Sequence, residues 1–117
     1  MYTLYCLPGS CSLATHVVLH ELDQPVELLD VRQQSNFTDI NPVGAVPVLI
    51  DGDSTLREGA AILLHLFNKH ESPMLPSVGA RRTQAIEDIL FANATMHPAY
   101  GRLFFIGQHI TDPGAKQ

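Results

Sequence analysis

The spacing of apolar positions changes along this chain, and each change marks an element. Met1-Tyr-Thr-Leu-Tyr-Cys6 is a short run rich in aromatic and β-branched residues, which predicts a strand. From Leu13 the period lengthens: Leu13/Val17 and Ala14/Val18/Leu22 stand four apart, which predicts a helix over 13–22 with these side chains on its apolar face. Pro8-Gly9 breaks the chain between them, so the opening reads strand, tight loop, helix. Ser10 or Cys11 falls where that helix begins, and Ser12 can offer a hydroxyl to its first turn. Val-Glu-Leu-Leu-Asp-Val at 26–31 is a second strand, which completes a β-α-β unit with parallel strands and a right-handed crossover.

Residues 32–39 are polar and turn-prone, with a short helical turn expected near 36–40. Asn41-Pro42 and Gly44 mark a loop, and Val46-Pro47 leads into an apolar strand at 48–50. Asp51-Gly-Asp-Ser54 reads as a hairpin turn, so the returning strand at 55–57 should run antiparallel to the third. Glu58-Gly59 then opens a helix at 60–67 that is apolar on nearly every side, hence largely buried. Two prolines make 71–77 a linker. Beyond it, 79–105 is a long helical candidate striped by Ile86, Ile89, Leu90, Asn93 and His97, with a kink expected at Pro98. The tail from 107 to 117 is polar and turn-rich. The expected organisation is a first domain at 1–70, a linker at 71–77 and a partial helical domain at 78–117.

Composition narrows the functional classes. At 117 residues and 45% apolar content the chain can bury a core, and a net charge of −5 without a basic run argues against nucleic acid or an anionic membrane as partner. No apolar run approaches a membrane span, and no charged n-region precedes an apolar stretch at the start. These features give a cytoplasmic expectation, in which two thiols are more often free or reactive than bridged. The six histidines are scattered and His16/His20 is the only pair four apart, so no metal is expected.

The chemistry concentrates at Cys11. A thiol where a helix begins meets unpaired backbone N–H groups and the positive end of the helix dipole, and both favour the thiolate. The alternative is a buried structural cysteine. Cys6, five residues earlier, is expected in the core, and the Cys-x4-Cys spacing is not that of a dithiol oxidoreductase, although it does not forbid a bridge.

Assembled, β-α-β, loop, β-β-α with a proline before the third strand is a thioredoxin-like α/β layout with a mixed four-stranded sheet, followed by the first long helix of an all-α domain. Pro-Gly-Ser-Cys-Ser-Leu-Ala-Thr-His at 8–16, Ile-Asn-Pro-Val-Gly-Ala-Val-Pro-Val-Leu at 40–49 and Leu-Arg-Glu-Gly-Ala-Ala-Ile-Leu at 56–63 stand in order within it. With these segments the chain resembles the glutathione S-transferase family, most closely its bacterial beta class, over residues 1 to about 105.

That resemblance implies glutathione as co-substrate, conjugation to a small electrophile or exchange with a disulfide, and a homodimer. By position, Cys11 matches the cysteine that contacts the glutathione sulfur, with Ser10 beside it. Val46, between Ala45 and Pro47, matches the residue whose backbone pairs with the cysteinyl part like an added strand, across a Val46–Pro47 bond implied to be cis. Glu58 and Gly59 match the pair that holds the γ-glutamyl end, although Glu58 as a first-turn acid could simply complement the dipole. His97 matches a histidine facing the cleft, with a packing role as the alternative, and His16 matches another position often occupied by histidine. Tyr5 is read as a core strand residue.

Departures from the family pattern are Val43 and Ala45 near the glycyl carboxylate, Pro98 in place of a frequent lysine, and a short 32–39 loop without its usual lysine. They imply a weaker hold on glutathione. The family also continues with further helices, so a truncated chain, a fragment and a short variant are all open. Two rival readings are a non-catalytic binding or interaction module on the same fold, and a glutaredoxin-like reductase working through Cys6.

Overall fold

The computed structural model describes residues 1–109, and structural statements below concern those residues. The chain opens with β1 (Tyr2–Cys6), α1 (Ser12–Glu21) and β2 (Val26–Asp30). A 3-10 turn (Val31–Gln33) and the short α2 (Phe37–Ile40) occupy the polar stretch where a helical turn was expected. Then follow β3 (Val48–Asp51), β4 (Ser54–Leu56) and α3 (Gly59–Lys69). The sheet order is β2-β1-β3-β4, with β1 parallel to β2 and antiparallel to β3, and β3 antiparallel to β4. Asp51 pairs with Ser54 across a two-residue turn in which Gly52 adopts a φ of 58°, a backbone that glycine enters without steric cost.

Alternation along the strands builds the core. Tyr2 and Leu4 of β1 and Leu49 of β3 share it with Val18 and Leu19 of α1 and Ile62 and Leu66 of α3. On α1 the expected face holds at Val18 and Leu22, which meet the core, and fails at Leu13, Ala14 and Val17. Ser12, Thr15, Val18 and Leu19 point inward, whereas Leu13 is 60% and Val17 50% exposed. The i, i+4 pairing of Leu13 with Val17 marks a real ridge of this helix, but that ridge lies outside the core. Burying two hydroxyls instead requires partners, and Ser12 Oγ meets the Leu7 N–H at 3.1 Å and the Leu7 carbonyl at 3.2 Å. The hydroxyl thus serves the preceding loop rather than the first helical turn.

A polar clasp closes the far end of the sheet. Lys69 Nζ donates to both carboxylate oxygens of Asp51 at 2.9 and 3.0 Å, and His65 Nε2 lies 2.8 Å from Oδ2. Hydrogen bonds from Lys69 and then His65 hold the Asp51 carboxyl below the usual carboxylate range, so their stabilisation is present above that range and is lost as pH falls through the folded value. Lys69 also lies over the Tyr2 ring, whose hydroxyl is 2.6 Å from His70 Nε2.

The proline-rich stretch after α3 docks through Leu75, which is buried. The long helix expected beyond it is present in three parts: α4 (Gly79–Phe91), a π turn (Ala92–Met96) and α5 (His97–His109). The expected break at Pro98 takes the form of this π turn, where the His97 N–H reaches back to the Ala92 carbonyl. Proline has no N–H to continue the regular ladder, and the wider turn immediately before it absorbs the interruption. None of the residues from Gly79 to His109 is buried. Most of the polar tail, 110–117, lies outside the described residues.

The two faces of α1 predict different costs. Leu19→Ala should destabilise the fold by about 2–5 kcal/mol, and Leu13→Gln should change it by no more than about 0.5 kcal/mol. Urea unfolding checks this, and comparable losses for both would overturn the assignment of faces.

Candidate functional site

Three chain segments meet at the other end of the sheet. β1 leads through the 7–11 loop into α1, while the pairing of Tyr5 with Val48 brings the start of β3 and the loop before it to the same end. The first turn of α3 closes the group: a Cβ placed on Gly59 would stand 3.7 Å from the ring of Pro47. Both long helices of the first unit therefore direct their N-termini to one place.

Cys11 is the N-cap of α1 and makes no side-chain capping bond. Its thiol instead donates across the gap to the carbonyl of Val46 at 3.1 Å. Although residue 11 as a whole is exposed, desolvation of the sulfur raises the Cys11 pKa above the ordinary thiol value, and a bond from its own backbone N–H acts the other way. This corrects the expectation that the helix start would favour the thiolate. The N–H groups of the first turn are already engaged: Leu13 N–H meets Ser10 O at 3.1 Å, Ala14 N–H meets Cys11 O at 3.2 Å, and Ser12 N–H meets Ser10 Oγ at 3.3 Å. Facing the sulfur is a carbonyl oxygen, which stabilises S–H and repels S⁻.

Ser10 is present beside Cys11, but its hydroxyl is spent within the loop, donating to Leu7 O at 2.6 Å and lying 2.7 Å from Ser12 Oγ. Cys6 is part-buried, its sulfur 3.7 Å from the Leu29 carbonyl, and both cysteines are free. Tyr5 packs against Phe37 with ring centroids 5.4 Å apart, as a strand residue rather than a sulfur ligand.

The Val46–Pro47 bond is cis. Pro47 is buried, Val46 half-buried and Ala45 exposed, so the ledge is anchored at one side and open at the other. Asn41, only 4% exposed, holds it in shape: its Nδ2 donates to the Ala45 carbonyl at 2.9 Å and its Oδ1 accepts the Val43 N–H at 3.3 Å. Arg57, just past β4, ties the start of the same loop through its Nε, which donates to the Ile40 carbonyl at 2.8 Å. Sequence reasoning saw Asn41-Pro42 only as a turn signal; nothing local distinguishes a buried asparagine that organises a loop from an exposed one.

Glu58 is the N-cap of α3, exposed, with a carboxylate that makes no capping bond, so the opening N–H groups of that helix are uncapped by a side chain. His97 begins α5 and is exposed, and no hydrogen bond joins it to Cys11 among the described residues. His16 is half-buried on α1. Among the described residues no cluster of three metal-ligating side chains forms, and no helix is long and apolar enough to cross a membrane.

A mixed four-stranded sheet of this order, with α1 and α3 packed on it and a helix following, defines a thioredoxin-like fold. Residues 4–74 match the family described as glutathione S-transferase, N-terminal domain. The chain is 36% identical over 107 residues to glutathione S-transferase GST-4.5 of Xanthomonas campestris pv. campestris, covering 86% of this chain and 52% of that relative. It is 32% identical over 111 residues to glutathione S-transferase GstA of Escherichia coli O157:H7, covering 86% and 55%. The solved structure of a glutathione S-transferase from Xylella fastidiosa superimposes with a TM-score of 0.82 at 31% identity, covering 99% of this chain and 60% of that one. The chain therefore belongs to the glutathione S-transferase family. It spans about half the length of the curated relatives just described.

The geometry at residue 11 gives a direct expectation for its titration. Alkylation of Cys11 across pH should show a half-point above the ordinary thiol value, since burial and the Val46 carbonyl both favour S–H. A half-point well into the acidic range would mean that the helix dipole outweighs them.

Proposed function

We propose that this chain binds glutathione along the Val46 ledge and uses Cys11 to engage its sulfur. The observation that carries the reading is the contact between Cys11 Sγ and the Val46 carbonyl, which puts the reactive group and an open main-chain edge within one hydrogen bond of each other. A tripeptide laid against residue 46 as an added strand would offer its cysteinyl N–H to that same carbonyl. The Cys11 thiol would then lose its acceptor and be free to meet the incoming sulfur, with Val46 N–H pairing to the peptide carbonyl. Family membership supports the same ligand.

Glu58 would receive the α-ammonium of the γ-glutamyl end, and the uncapped N–H groups at Gly59 and Ala60 its α-carboxylate. In thiol–disulfide exchange, the Cys11 thiolate would attack one sulfur of glutathione disulfide. A Cys11–glutathione disulfide forms, the original S–S bond breaks, and the departing thiolate takes up the proton that Cys11 gave to solvent. In conjugation, Cys11 S–H would donate to the glutathione thiolate while that sulfur attacks a small electrophile. His97 would serve as proton donor on the second side of the cleft.

A non-catalytic binding module is the second reading, and the apolar Val43 and Ala45 beside the ledge, which offer the peptide no ionic contact, favour it. Calorimetry with glutathione, followed by a conjugation assay with chlorodinitrobenzene, separates the two. The enzyme reading expects binding and turnover, with turnover falling at least about tenfold in Cys11→Ala, the loss of a hydrogen bond to a charged sulfur. Binding without turnover identifies the module, and no binding at all would remove both.

We also propose a homodimer as the partner arrangement. Leu90, Phe91, Met96, Tyr100, Leu103 and Phe104 are between 46% and 65% exposed along α4, the π turn and α5, and large apolar side chains open to water in such number mark an interaction surface. Sedimentation should give a dimer that Leu103→Glu converts to monomer; a compact monomer at every concentration would contradict it.

A further inference from the structure

We propose that the cavity where α3, the 71–77 linker and α4 meet is a binding site for a free α-amino acid with a large apolar side chain. It lies at the C-terminal end of α3, the end opposite Glu58, and shares no residue with the thiol or the ledge. Its volume is about 730 Å³, room for an organic molecule rather than a water. Phe67 of α3 and Leu75 and Pro76 of the linker give it an apolar wall, and Leu75 is buried. Glu71 and Arg82 line the same space, so it holds one carboxylate and one guanidinium.

These two charges do not neutralise each other. Arg82 is half-buried, and it donates through Nη1 to the Pro76 carbonyl at 3.2 Å and through Nη2 to Asn68 Oδ1 at 3.0 Å. Both acceptors are neutral, so the guanidinium keeps its whole charge, and three of its five N–H groups remain to be given. The same two bonds hold the planar fork in place, which is the arrangement that suits a carboxylate. Among the described residues no ion pair joins Arg82 to Glu71 or to any other acid, and none joins Glu71 to a cation. A simple anion in this cavity would meet the Glu71 carboxylate, and a simple cation would meet Arg82; each faces a like charge. A ligand with a carboxylate and an ammonium on one carbon answers both groups, and an aromatic or branched side chain on that carbon covers Phe67 and Leu75.

Calorimetry with L-phenylalanine tests this, alongside phenylalaninamide, which lacks the carboxylate, and N-acetylphenylalanine, which lacks the ammonium. Phenylalanine should bind the full chain with a Kd of about 1 mM or tighter, the range open to a ligand of its size. Each analogue should bind about tenfold more weakly, the loss of one hydrogen bond between charged groups. Arg82 also ties the linker to α3, so the variant chosen is Glu71→Gln, at an exposed position. It should keep the parent's urea midpoint and bind phenylalanine about tenfold more weakly, with N-acetylphenylalanine unchanged. Failure of phenylalanine to bind, equal affinity for all three compounds, or full affinity in Glu71→Gln would each overturn the assignment. So would protection of Cys11 from alkylation by phenylalanine, which would put the ligand on the ledge instead. None of these outcomes bears on the glutathione reading.

Discussion

The antiparallel pairing of β1 with β3 is the constraint on which the site depends. Thr3, Leu4 and Tyr5 face Ile50, Leu49 and Val48, and this register alone decides that the 41–47 loop ends opposite the loop that carries Cys11. A slip by one residue would turn Leu49 out of the core and move Val46 away from the sulfur together. The burial of Leu4, Val48 and Leu49, each fully covered, makes such a slip costly. Core packing and site geometry are thus one and the same restraint: the apolar pattern that stabilises the sheet also sets the distance between thiol and ledge.

The shared acceptor at Val46 gives that distance a chemical meaning. A carbonyl that accepts from a thiol keeps the thiol protonated and occupied. The same carbonyl is the natural partner for the N–H of a strand laid beside it, and it has room in good geometry for one strong donor from that side. A helix dipole acting at the start of α1 works in the opposite sense, but the first-turn N–H groups that would deliver it are committed to Ser10 and Cys11. Burial of the sulfur and the carbonyl that faces it thus favour the protonated thiol at residue 11.

Much of this was legible in the chain. Pro8-Gly9, Asn41-Pro42 and Asp51-Gly-Asp punctuate it so clearly that every strand and both long helices of the first unit fall within a residue or two of expectation. The side of α1 that faces inward was not legible, because Leu13/Val17 and Val18/Leu19 are both apolar pairs and only the sheet decides between them. Likewise Pro98 announces an interruption but not its form, which depends on how the preceding turn widens. Asn41 acts within its own loop, on Val43 and Ala45, and a single asparagine carries no periodic signal. The raised Cys11 pKa was not legible for a related reason: burial of the sulfur and the Val46 carbonyl opposite it follow from the β1–β3 pairing.

The two halves of the site stand on different foundations. Cys11, Val46 and Glu58 are carried by elements rooted in a core where several side chains are fully buried. His97 is carried by helices that bury none of their own residues among those described, and α4 meets α3 over a short contact. Segments with few buried contacts open and shift at lower free energy than the core they lean on. The sulfur and the ledge consequently hold their geometry with or without the helical segment, whereas any group supplied from residues 92–97 depends on how that segment is covered. The thiol and ledge on one side and the groups of residues 92–97 on the other are therefore anchored to parts of the chain that bury very different amounts of side chain.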